Sequence, residues 1–116
     1  MPGTETASPL TFDIERSGET TVVRLHGKLI AGVGDVFYSK IKALVPDSKR
    51  IVLDMADLER MDSIGLGAMV RLYVSGRSAG CSVELMNIGK PVRDLLGVTH
   101  LLSVLSIIGE NGIRLG

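Results

Sequence analysis

Leu53-Asp54-Met55-Ala56-Asp57-Leu58-Glu59-Arg60-Met61-Asp62-Ser63-Ile64-Gly65-Leu66-Gly67 is the stretch on which the fold turns. It opens on the end of an unbroken apolar run, Ile51-Val52-Leu53, which reads as an interior strand buried on both faces and ending near Met55. A helix begins at Ser63 or just after it. The residues between form a short loop at the carboxyl end of the strand, where α/β sheets commonly place functional groups. Asp62 and Ser63 are both good N-caps. Gly65 and Gly67 are costly in a first helical turn, at roughly 0.5–1 kcal/mol each relative to Ala, unless something packs close to the backbone. On a helix Ser63, Gly67 and Arg71 fall along one stripe, away from the apolar one. A hydroxyl, a bare backbone and a guanidinium side by side look like a docking surface for another protein.

Outward from this stretch the pattern alternates between strand and helix. Downstream, the helix from Ile64 to about Ala79 has Leu66, Met69, Val70, Tyr73 and Val74 on its inner face, and Gly80 ends it. Val83 and Leu85, with Asn87 as a candidate third member, form a short strand. Pro91 stands where a third helix starts and Gly97 where it stops, with Val92, Leu95 and Leu96 as its apolar residues. The segment from Leu101 to Ile108 reads as a helical turn and then an edge strand. Upstream, Val33, Val36, Phe37, Ile41, Leu44 and Val45 keep helical spacing, and Pro46-Asp47 closes that helix. Before it, Leu10, Phe12 and Ile14 alternate with Thr11, Asp13 and Glu15, and Ser17-Gly18-Glu19 turns into a second strand through Thr21 to Leu25. The order β-β-α-β-α-β-α predicts an α/β fold, a mixed sheet with helices packed mainly on one face. Residues 1–9, with Thr4, Glu5, Thr6 and Ser8, read as a flexible polar tail, and residues 10–116 as a single domain.

Composition narrows the function. The chain has 116 residues, 45% of them hydrophobic and 22% charged, ordinary values for one globular domain. Thirteen Lys and Arg balance thirteen Asp and Glu, so no basic excess exists to hold a phosphate backbone. Aromatic residues are 3% and Trp is absent, which argues against base stacking; no nucleic acid is expected as a partner. A single cysteine, Cys81, fits a reducing cytoplasm and a reduced, partly buried side chain. No apolar run is long enough to span a bilayer, and the N-terminus does not read as a signal peptide, so no membrane association is expected.

No catalytic constellation is visible. Ser63 lacks the Gly-x-Ser-x-Gly context of a hydrolase nucleophile, and neither His26, read at a strand end, nor His100, read in a surface turn, has an acidic neighbour in sequence to orient it. Two histidines and one cysteine lack metal-site spacing, and Gly65 and Gly67 lack the lysine of a phosphate-binding loop. The expectation is no enzyme, no metal and no cofactor. Arg71 is read either as a docking residue or as a solvated helix residue.

The stretch from Ile51 to Ile107 resembles the STAS domain of bacterial anti-sigma factor antagonists. The resemblance rests on the apolar strand ending in Asp54, on Met61-Asp62-Ser63-Ile64-Gly65-Leu66-Gly67, on the Arg-containing helix and Gly80, and on the Val83-to-Ile88 strand and Pro91-to-Leu96 helix. It implies a partner switch. The antagonist binds an anti-sigma factor that is also an ATP-dependent serine kinase, and a sigma factor is released. Phosphorylation at Ser63 then ends the complex, and a PP2C-type phosphatase resets it. The partner-binding residues implied are Asp62, Ser63, Ile64, Gly65, Gly67 and Arg71. The alternative is a STAS interaction or scaffold module, not switched, in a stress-sensing or lipid-transport complex. Many antagonists carry Gly-x-Leu-Asp after the second strand, whereas this chain has Gly27-Lys28-Leu29-Ile30, with Asp35 and Asp57 as the acids able to stand in. Apolar residues near Leu101 to Ile108 leave monomer and weak dimer both open.

Overall fold

Alternating Leu10, Phe12 and Ile14 give β1 (Leu10–Ser17), which turns at Gly18-Glu19 and pairs antiparallel with β2 (Thr20–Leu29) from Ser17 opposite Thr20 to Leu10 opposite Gly27. The computed structural model of the protein describes residues 9–100, 105–110 and 113–115, with 106–110 and 113–115 described by their backbone. The polar tail expected over residues 1–9 therefore lies, apart from Pro9, outside the described residues.

After β2 come α1 (Gly34–Lys42) and a short 3-10 turn, Val45–Asp47, with Pro46 inside it. There follow β3 (Arg50–Met61), α2 (Ser63–Ser78), β4 (Ser82–Met86), α3 (Lys90–Val98), β5 (Ser106–Glu110) and β6 (Ile113–Leu115). The described strands form one sheet in chain order, β1 to β6. The β2–β3, β3–β4 and β4–β5 pairs are parallel, and the two outer pairs are antiparallel. The expected mixed sheet is present. The strand expected at the end of the chain is β5, but it lies between β4 and β6 and so is not the edge.

Ile51, Val52 and Leu53 occupy the interior strand as expected, with exposures of 0%, 3% and 0%. Thr21, Val23 and Leu25 of β2 lie in register with or beside Ile51 and Leu53, which in turn face Val83 and Leu85 of β4. This sheet face and the inward residues of the helices, Phe37, Ile41, Leu66, Met69, Leu72, Val92 and Leu96, make one core cluster. Fully burying each such side chain contributes about 1.5–3 kcal/mol. The opposite sheet face carries a grid of ion pairs: Glu15–Arg24–Asp54, Asp13–His26–Asp57 and Arg50–Glu84. The sheet is therefore oil on one side and charge on the other, as a one-sided helix layer requires.

Several details differ from the sequence expectations. The strand does not end near Met55. It runs on to Met61, paired only with β2 beyond Asp54, and the register shifts twice there, between Arg24 and His26 and between Gly27 and Lys28. Each shift inserts one extra residue on β3, and these bulges break the period-two pattern that marks a strand. Val36 and Val74, placed on inner helix faces, are 57% and 55% exposed, while Leu72 is buried. Val74 lies on the side of α2 away from Met69, Leu72 and Gly76, and Val36 turns away from Phe37 and Ile41. Asn87 lies past β4 with φ 59°, its side chain donating to Asp54 Oδ1 at 3.0 Å. Gly97 does not stop α3: the Thr99 hydroxyl donates to Leu95 O at 2.8 Å, and His100 (φ 60°) takes the left-handed turn beyond it. Gly80, by contrast, ends α2 in that conformation, with φ 80°.

Candidate functional site

β3 hands the chain to α2 through a single residue, Asp62. Its extended backbone (φ −106°, ψ −177°) makes it the N-cap. Oδ1 accepts the Gly65 N–H at 2.9 Å, and Oδ2 accepts the Ala31 N–H at 2.9 Å. The Asp62 N–H itself donates to Leu29 O at 3.3 Å. The end of β2 and the start of α2 are thus laced to one carboxylate. Those N–H groups, Gly65's foremost, hold the Asp62 carboxyl below its ordinary range. With Asp62 as the cap, Ser63 becomes the first residue of the helix. It is exposed, and its hydroxyl makes no hydrogen bond among the described residues.

The two glycines have different surroundings. A Cβ on Gly65 would lie 2.1 Å from Leu29 O, a backbone atom that cannot give way. Gly65 is buried, and it lets the first turn of α2 ride directly on β2; the structure places it inside the domain and off the docking stripe. A Cβ on Gly67 would meet nothing within 4 Å. Ser63, Gly67 and Arg71 do share one exposed stripe, and Ile64 beside it is 58% exposed. Arg71 is occupied: its Nη2 lies 3.3 Å from Asp35 Oδ1, and its guanidinium carbon sits 4.7 Å from the centre of the Tyr38 ring. The Tyr38 hydroxyl is 2.7 Å from Ser75 Oγ. That hydrogen bond, with Lys42 and the charge of Arg71, brings the phenol below its usual value. Arg71 therefore clips α1 to α2 from within the surface it was expected to present.

The sequence model of the STAS domain matches residues 11–111. The chain belongs to the STAS domain family. An anti-sigma F factor antagonist from Paenibacillus polymyxa is 26% identical over 100 residues, covering 84% of this chain and 86% of that protein. An anti-sigma factor antagonist from Mycobacterium paratuberculosis has a similar structure, with TM-score 0.74 at 21% identity over 84% of each chain. The phosphorylated form of the Bacillus cell fate determinant SpoIIAA gives TM-score 0.67 at 22% identity, over 87% of this chain and 94% of that one. At these identities the two structural likenesses are of fold.

Within this STAS domain, Ile30 is half-buried and packs against the core. The two acids considered as stand-ins already have partners: Asp35 pairs with Arg71, and Asp57 Oδ2 lies 3.1 Å from His26 Nδ1. His26 is not at a strand end, and it does have acids to orient it. Its Nε2 is 2.7 Å from Asp13 Oδ2, so both ring nitrogens face carboxylates, one from each neighbouring strand. Sequence reasoning missed this because the three residues meet only through sheet register. His100 lies in an exposed turn as expected, and Cys81 is more buried than expected, at 1% exposure. Among the described residues no helix is long and apolar enough to cross a membrane.

Proposed function

We propose that this STAS domain is an anti-sigma factor antagonist that is not itself an enzyme. In the cytoplasm it binds an anti-sigma factor that is also a serine kinase, so that a sigma factor is released. The kinase then transfers the γ-phosphoryl group of ATP to Ser63 Oγ; the hydroxyl proton is lost, ADP leaves and the complex separates. A PP2C-type phosphatase restores the hydroxyl. The observation that carries this reading is Ser63 itself: an exposed hydroxyl, without a hydrogen bond among the described residues, on the first residue of a helix whose cap is supplied by a different side chain. A kinase can reach it without unfolding anything, and the amides of a helix N-terminus tolerate the added charge. The relative from Paenibacillus polymyxa supports the class of partner.

The charge explains the release. A phosphoryl group adds about −1.5 to −2 charges. In the free domain it stays at the hydrated surface; at a closed interface it loses that water, at a cost of several kcal/mol when the partner brings no cation to it. A loss of about 2.8 kcal/mol weakens binding a hundredfold. Mixing the protein with candidate kinase anti-sigma factors and ATP, then mapping the modified residue by mass spectrometry, tests the reading. Wild type is expected to be modified at Ser63, Ser63→Ala to bind and resist modification, and Ser63→Asp to bind weakly while staying folded. Equal affinity for all three, with no phosphate on Ser63, favours the second reading, a STAS scaffold module that binds without being switched. Ile30, standing where many antagonists carry an acid, is the observation on that side.

A further inference from the structure

Lys28 and Arg60 stand directly opposite each other where β2 and β3 end. The next residues along each strand, Leu29 and Met61, are also opposite one another and turn into the core. Strand alternation therefore puts Lys28 and Arg60 together on the charged face, and both are exposed. Elsewhere on that face the basic groups are matched: Arg24 by Glu15 and Asp54, His26 by Asp13 and Asp57, Arg50 by Glu84. Among the described residues, Lys28 and Arg60 have no ion pair. Like charges directly opposite in a sheet destabilise it, so this pair costs the fold something and gains nothing from it.

Its position gives it a use. Arg60 precedes Ser63 by three residues, so their Cα atoms are at most about 11 Å apart. The guanidinium already acts on this corner, since its charge helps to keep the Asp62 carboxyl ionised. Asp62 spends both its oxygens on backbone N–H groups and forms no ion pair with Lys28 or Arg60 among the described residues. Glu59, the bulge residue beside Arg60, forms no ion pair among the described residues, and the residue after Leu29 is the apolar Ile30. The strand ends next to Ser63 thus hold two cations that have no ion pair among the described residues.

We propose that Lys28 and Arg60 are the seat of the phosphoryl group carried by Ser63. The proposal rests on the phosphorylation reading above and deepens it: the planar guanidinium of Arg60 offers paired donors to phosphate oxygens, and the Lys28 ammonium adds a point charge. The phosphorylated state is then held on the antagonist's own surface as an ordered ion pair.

The test does not need the kinase. Phosphoserine is installed at position 63 during translation, and the second ionisation of the phosphate is followed by 31P NMR in otherwise wild-type protein and in Lys28→Gln/Arg60→Gln. Circular dichroism confirms that both are folded. The wild-type midpoint is expected about 0.5 pH unit below that of the double variant, a threefold change in proton affinity. The gap is expected to close in about 1 M salt, and Lys28→Arg is expected to keep the low midpoint. A wild-type midpoint equal to or above that of the double variant overturns the seat. Failure of the kinase assay at Ser63, with the low midpoint retained, would count against the phosphorylation reading and leave the seat standing.

Discussion

The carboxylate of Asp62 accepts the backbone N–H of Ala31 at 2.9 Å, joining two points 31 residues apart, while its other oxygen caps α2. One side chain therefore sets the angle at which the helix leaves the sheet, and with it the direction in which Ser63 faces.

Asp62→Ala leaves both N–H groups without that acceptor, and the melting temperature is expected to fall at neutral pH. The effect depends on acid in a definite sense. The folded-state carboxyl lies below its ordinary value of 3.8, chiefly because of the Gly65 N–H and next the Ala31 N–H. Its contribution is whole above the unfolded value and is lost as pH falls through the lower, folded one. Melting curves of wild type and Asp62→Ala are expected to differ by a constant amount down to about pH 4 and to converge below it. A gap unchanged at about pH 2 contradicts the assignment.

Gly65→Ala forces a methyl against Leu29 O and is expected to cost about 1–3 kcal/mol in urea unfolding. Gly67→Ala meets open space, and is expected to stabilise by about 0.5–1 kcal/mol through helix propensity. Gly67→Glu is expected to fold normally and bind the partner poorly. Equal stability changes at the two sites would mean that the packing of α2 on β2 is misread.

Arg71→Ala and Asp35→Asn probe the clip between α1 and α2. Both side chains are largely exposed, 54% and 96%, which limits the pair. A double-mutant cycle is expected to return a coupling of about 0.2–1 kcal/mol, and Arg71→Ala alone to lose a further increment of about 0.5–1 kcal/mol with the Tyr38 stacking. A coupling of zero at low salt would free Arg71 for a partner.

Burial pushes the Cys81 thiol up, and its side chain is sealed. The thiolate, which is the reactive form, is scarce in the folded protein. An aromatic disulfide reagent is therefore expected to label Cys81 only on the timescale of unfolding, and at once in urea. Rapid labelling of native protein would show that α2 and β4 separate readily.

The hairpin, the interior strand, the helix start at Ser63 and, within one residue, the start of α3 beside Pro91 were legible because each is signalled locally, by alternation, by an apolar run, by a cap or by a proline. The far half of β3 was not. Ala56 to Arg60 is polar because that length of strand extends past β4, and the bulges scramble its period. The matching of His26 by Asp13 and Asp57, and of Lys28 against Arg60, depends on which residues face one another across strands, and a register is not written in any one segment. Gly65 was singled out correctly as needing close approach, but the approaching atom proved to be the chain's own Leu29 carbonyl. The open site at Gly67 and the exposed Ser63 were readable from helical spacing alone.

The contrast between Gly65 and Gly67 also separates two kinds of history. The first is barred from change by the anatomy of the chain, whatever the domain is used for; the second is barred only while a partner presses against it. If Gly67 lies in the proposed docking surface, a lineage that keeps glycine at 65 and lets 67 drift has kept the domain and abandoned that surface.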